Sequence, residues 1–151
     1  MTSQNAPCPR LATRAVILHD NRLLLVNAYP ARRGDLWCAP GGGVVRGTSL
    51  PENLAREVHE ETGLTIRVGA PCLVNEFHDP EGTFHQVDIY FRAAITAGTL
   101  SPDWHDPEGI VTDRLFVTRE QMEGMRFKPD SLPHVAWGRG FGYDPLEPIV
   151  R

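Results

Sequence analysis

The order of elements in this chain predicts an α/β fold in which a mixed sheet is sandwiched with helices. Three observations carry that expectation. Two apolar, β-prone runs joined at Asp20-Asn21 precede a single well-capped helix. A long alternating hairpin and a further short strand follow it. A second helix signal comes near the end, so strands lie on both sides of the central helix and need helical layers to cover them.

Residues 1–11 are polar and Pro-bearing, and read as a loose lead-in to a single domain over 12–151. Ala12 to His19 and Arg22 to Asn27 are almost continuously apolar, the pattern of strands covered on both faces. Ala28 to Asp35 is a loop with Arg32 and Arg33 near its tip, either two solvated cations or contacts to a substrate phosphate. It leads into Leu36-Trp37-Cys38, where Trp37 is expected in the core. Ile66 to Phe77 reads as one or two strands broken near Gly69-Ala70-Pro71. Its hairpin partner is His85 to Ala97, across the turn Asp79-Pro80-Glu81-Gly82. In that partner, period two puts Asp88 and Arg92 on one side and Val87, Ile89, Phe91 and Ala93 on the other. Gly98 to Gly109 is long, acidic and aromatic, which marks a candidate site loop. Arg114 to Val117 is a strand, and Thr118 with Gln121 caps a helix reaching about Met125. Ser131 to Trp137 form a short helix, and the tail from Gly138 reads as irregular.

The chemistry concentrates between Pro40 and Leu64. Ser49 with Glu52 reads as a capping box, Pro51 suits a first turn, and Gly63 stops the helix, which therefore spans about Leu50 to Thr62. Leu50, Leu54 and Val58 form an apolar stripe for the core. Beside it Glu57, Glu60 and Glu61 stand at i, i+3 and i+4, within a turn of one another. Like charges that close repel by roughly a few tenths of a kcal/mol per pair, and a hard divalent cation offsets this. Arg56 is four residues from both Glu52 and Glu60 and can fix a carboxylate. The glycines at 41–43 let the backbone of Gly41 and Gly43 approach a substrate phosphate closely. An acidic helix face alone is ordinary surface, and a glycine run alone is an ordinary loop. Their joint order and spacing is what is specific.

That order resembles the Nudix box, G-x5-E-x7-R-E-U-x-E-E-x-G-U with U aliphatic, running from Gly42 through Arg56, Glu57, Val58, Glu60, Glu61 and Gly63 to Leu64. Thr48 stands in place of the first Glu, and Val45 where many members carry another acidic residue. The resemblance implies a Nudix-like α/β/α sandwich with a mixed β-sheet. It also implies metal-dependent hydrolysis of a nucleoside diphosphate derivative, by attack of water on a phosphorus. Substrates of that kind include ADP-ribose, a nucleotide sugar, a dinucleotide or a modified NTP. By resemblance Mg²⁺ or Mn²⁺ is held by the Gly42 carbonyl with Glu57, Glu60 and Glu61. In the family the missing Glu supports the loop and the metal site, so Thr48 bears on rate and metal affinity. The proton acceptor stays open between Glu57 and an acid on the later loop, Asp106 or Glu108. His78 and His105 are further candidates for base or substrate contact, and Tyr90, Phe77 and Trp104 for stacking on a base. The alternative to an enzyme is a non-catalytic Nudix-fold nucleotide sensor. Thr48 favours it, whereas the intact Arg56-Glu57 and Glu60-Glu61 pairs and the want of an appended DNA-binding segment favour the hydrolase.

Composition narrows the partners. With 151 residues and 41% hydrophobic content, there is chain enough for one real core. A net charge of −4 argues against a nucleic-acid groove, while a metal can still supply local positive charge for a small nucleotide. Cys8, Cys38 and Cys72 lack C-x-x-C spacing and fit a reducing cytoplasm rather than a disulfide framework or zinc site. No apolar leader or membrane-length run is read, so neither membrane nor nucleic acid is an expected partner. Many Nudix proteins dimerise, so the resemblance leaves a homodimer open, although no segment of the sequence marks one.

Overall fold

The computed structural model describes residues 7–30 and 34–151. Among these residues, nine strands and three helices follow in the order β1 (Arg10–His19), β2 (Arg22–Asn27), β3 (Trp37–Cys38), β4 (Gly41–Gly43), α1 (Leu50–Thr62), β5 (Thr65–His78), β6 (His85–Ala97), β7 (Arg114–Val117), α2 (Arg119–Met122), α3 (Leu132–Ala136), β8 (Gly142–Tyr143) and β9 (Glu147–Pro148). The sheet runs β3-β2-β1-β6-β5-β8, with β4 added to β1, β7 to β2 and β9 to β5. It is mixed. β1 pairs parallel with β6, while β1–β2 and β5–β6 are antiparallel.

Local chemistry explains most of these boundaries. Asp20 and Asn21 both adopt positive φ, 51° and 60°, the conformation that a tight hairpin matched to strand twist requires. Pro71 has no N–H to give, and the β5–β6 register steps on either side of it, so β5 remains one strand with an irregularity. In α1, Ser49 accepts the Glu52 N–H at 3.3 Å, and Gly63 turns left-handed at φ 77° to end the helix.

Three expectations need correction. β1 starts at Arg10 rather than Ala12, since Arg10 and Leu11 pair with Gln86 and Val87; the loose lead-in is shorter than 1–11 at that end. α2 ends at Met122 rather than near Met125, and past it the chain leaves to set the Arg126 carbonyl on the Trp37 N–H at 2.9 Å. The tail is not wholly irregular, because β8 and β9 each pair parallel with β5.

Two apolar layers enclose the sheet. Leu54 and Val58 of α1 pack with Ile17, Leu24, Leu64 and Phe91 on one face. Met122 of α2 and Leu132 of α3 pack with Val16, Leu23, Leu25 and Leu73 on the other. Burying Leu54 and Val58 stabilises by roughly 2 kcal/mol each, which outweighs a few tenths per glutamate pair on the same helix. The apolar stripe therefore decides how α1 sits, and the acidic stripe goes where that leaves it. No helix among the described residues is long and apolar enough to cross a membrane.

Candidate active site

β4 brings the three glycines against the inner side of α1. A Cβ at Gly42 would lie 2.5 Å from Glu57 Oε2, so only glycine leaves room for the Glu57 carboxylate there. Glu57 is buried, which raises its carboxyl above the ordinary value against the opposing pull of Arg56. Arg56 lies 3.1 Å from Glu57 and 3.1 Å from Glu60, and it donates to Asn53 Oδ1 at 2.9 Å. It fixes Glu57 and Glu60, whereas Glu52 was expected to share it.

An acid of the later loop joins two of the expected trio. One carboxylate oxygen each from Glu57, Glu60 and Glu108 lie within 4.8 Å of one another. Glu61 instead accepts the Gly41 N–H at 2.9 Å, and burial pushes its carboxyl up to about 8. Glu61 still lines the same cavity of about 340 Å³ as Glu57, Glu108 and Gly41–Gly43. Three close carboxylates, one of them packed directly on Gly42, are a donor set suited to a hard divalent cation. Gly41 has committed its N–H to Glu61, and the Gly43 carbonyl accepts from Asn53 at 3.1 Å.

The acidic loop supplies Glu108, and two of its residues explain how. Trp104 donates its indole N–H to the Glu60 carbonyl at 2.8 Å and covers Gly63, where a Cβ would lie 2.9 Å from the ring. Trp104 thus pins the loop to the end of α1 rather than standing ready to stack on a base. Asp106 accepts the N–H groups of Glu108 at 3.0 Å, Ile110 at 3.2 Å and Val111 at 2.9 Å. Its carboxylate shapes the loop, which leaves Glu108 the acid presented to the cluster. His78 and His105 line neither cavity. The loop-tip pair Arg32 and Arg33 lies outside the described residues.

A second cavity of about 230 Å³ opens on the face of the sheet away from α1 and shares Arg10, Arg14, Ala28 and Cys38 with the first. Tyr29, Phe77 and Phe84 give it aromatic walls; Gln86, Asp88 and Tyr90 of β6 give it a polar floor. Tyr90 and Phe77 are therefore placed at a cavity. Several site residues escaped sequence reasoning. Asn53 had a signal, being a polar residue at a helix position next to the apolar stripe; Arg10 and Tyr29 had none, because only the fold brings them to the site.

A carboxylate-bearing helix seated on a glycine turn, within an α/β/α sandwich, defines a Nudix-type architecture. The NUDIX domain matches residues 9–137, and the chain belongs to that family. An ADP-ribose pyrophosphatase of Methanocaldococcus jannaschii is 30% identical over 92 residues, covering 61% of this chain and 54% of that protein. The chain spans about half the length of the curated relatives it matches, 44% and 54%. Among solved structures, a UDP-X diphosphatase superposes with TM-score 0.72 at 22% identity, covering 91% of this chain and 68% of that one. A MutT protein from Methanosarcina mazei Go1 superposes with TM-score 0.66 at 27% identity, covering 89% and 94%.

Proposed function

We propose that the chain is a metal-dependent pyrophosphohydrolase that cleaves the diphosphate linkage of a nucleoside diphosphate derivative. The observation that carries this reading is the convergence of Glu57, Glu60 and Glu108 within 4.8 Å beside the glycine turn. Glu57, Glu60 and Glu108, with Glu61 and the Gly42 carbonyl at hand, would hold Mg²⁺ or Mn²⁺. When bound, such ions neutralise the diphosphate and acidify the attacking water.

The residues of the chain divide the remaining work. Arg56 holds Glu57 and Glu60 in place at 3.1 Å each, keeping two mutually repelling carboxylates on one side of the helix. Glu108, exposed at the mouth of the cavity, is the acid best placed to take the proton of the water, and Glu57 is the alternative. Asp106 acts through the loop. The aromatic cavity receives the group joined to the far side of the diphosphate. ADP-ribose is the first substrate to try, on the strength of the relative's name, followed by nucleotide sugars, dinucleotides and modified NTPs. The free thiols of Cys8, Cys38 and Cys72 fit a cytoplasmic setting.

A panel of these compounds with Mg²⁺ or Mn²⁺, scored by phosphate release after phosphatase coupling, tests the reading. Glu60→Gln should lower the metal-dependent rate by about two orders of magnitude or more with the fold intact by circular dichroism. Near wild-type turnover in that variant would remove the metal assignment. Binding of these compounds without turnover would instead favour the sensor, to which Thr48 points.

A further inference from the structure

The two cavities meet at an exposed cation that has no ion-pair partner among the described residues. Among the described residues, four cations line them. Arg14 has Asp88 at 3.5 Å, and Arg56 has Glu57 and Glu60 at 3.1 Å each. Lys128 has Asp130 at 3.2 Å and Glu147 at 3.6 Å. Arg10 lines both cavities and, among the described residues, forms no ion pair.

Arg10 is nonetheless held in one orientation. Its Nη1 donates to Gln86 Oε1 at 2.5 Å. Gln86 is 2% exposed, and its own amide N–H donates to Asp88 Oδ1 at 2.7 Å, which turns the amide oxygen toward Arg10. On the other side the guanidinium rests on the glycine turn, since a Cβ at Gly43 would lie 2.6 Å from Arg10 Nη2. One of five N–H donors is committed to a neutral oxygen, and the rest keep the fork geometry that matches phosphate.

We infer that Arg10 is a substrate-binding residue that takes the phosphoryl group on the aromatic-cavity side of the diphosphate, away from Glu57, Glu60 and Glu108. The inference rests on the hydrolase reading above and adds a second anchor to it. A diphosphate laid across the junction meets four acidic groups on the α1 side, Glu57, Glu60, Glu61 and Glu108. A prepositioned guanidinium at the opposite end gives its second phosphoryl group a charge-assisted bidentate contact, and gives Arg10 the counter-charge it lacks.

ADP carries the same diphosphate and reads the contact whether or not the chain cleaves its substrates. Its equilibrium binding to the Mg²⁺-loaded protein is measured by calorimetry for wild type, Arg10→Ala and Arg10→Lys. Alongside it come kcat and KM for ADP-ribose and the Mn²⁺ affinity by electron paramagnetic resonance. Arg10→Ala should weaken ADP binding and raise KM by about ten- to a hundredfold, with kcat changed far less. Arg10→Lys should recover part of the loss, since it restores the charge without the fork, and Mn²⁺ affinity should not move. A wild type that does not bind ADP, or an Arg10→Ala protein that binds it equally well, overturns the inference. So does a loss that Arg10→Lys leaves unrelieved while the melting temperature falls, which marks a structural role. Arg10-dependent ADP binding without cleavage of any diphosphate overturns the hydrolase reading alone.

Discussion

Glu61 sits between opposing influences. Burial pushes its carboxyl from 4.5 up to about 8, prevailing over the Arg14 guanidinium and the Gly41 N–H, which both favour the ionised form. In the metal-free protein the folded state therefore holds this proton more tightly than the unfolded chain does. The sign follows. The contribution of Glu61 to stability is fully present below pH 4.5 and is lost as pH rises through about 8. Melting temperatures of the EDTA-treated protein should fall across that window more steeply than those of Glu61→Gln, whose amide has no proton to lose. Added Mg²⁺ should flatten the wild-type slope, because a cation takes over the role of the proton. Identical slopes for the two metal-free proteins would show that Glu61 is better solvated than its position indicates.

At the scale of elements, the join between the glycine turn and α1 depends on Asn53. This buried side chain accepts the Val45 N–H at 3.0 Å and donates to Thr13 Oγ1 at 3.2 Å and the Gly43 carbonyl at 3.1 Å. It also accepts from Arg56 at 2.9 Å. Asn53 thus braces the glycine turn from the inner face of the helix. Asn53→Leu strands several buried polar groups at once and should cost about 2–4 kcal/mol in urea unfolding. Thr48→Glu, on a turn that is already braced, should leave the rate unchanged or raise it, and a sharp loss would show that Thr48 has a role of its own. The loop over the helix offers a second test. Glu108→Gln removes a charge from the cluster and should lower kcat by about a hundredfold. Asp106→Asn keeps an acceptor oxygen for the backbone donors it caps and should change kcat by less than about tenfold. A reversed order would return Asp106 to the role of base.

Across the whole molecule, what was legible depended on how far the determining interactions reach. The limits of α1 were readable to the residue because Ser49, Pro51 and Gly63 act on their immediate neighbours. The two-sided burial of β1 and β2 was readable from apolar runs, and the face shared by Asp88 and Arg92 from period two. The approach of Glu108 to Glu57 and Glu60 was not, since it depends on Trp104 holding its loop to the end of α1. Nor was the tail, whose short pairings with β5 are directed by contacts distant in sequence. Those pairings have a consequence for the site. Ile149 donates to the His78 carbonyl at 2.8 Å, and Tyr29 Oη donates to the Val150 carbonyl at 2.7 Å, so the last residues form one wall of the aromatic cavity. Tyr29→Phe deletes one neutral hydrogen bond, worth about 1 kcal/mol, and should raise KM for ADP-ribose by about fivefold at most. Ending the chain after Leu146 removes the wall and should raise KM by more, about tenfold or above, with Mn²⁺ affinity unaltered because the carboxylate cluster is built from other elements. If the shortened chain instead keeps its KM and loses metal affinity, the tail supports the sheet beneath the glycine turn, and the aromatic cavity does not hold the far half of the substrate.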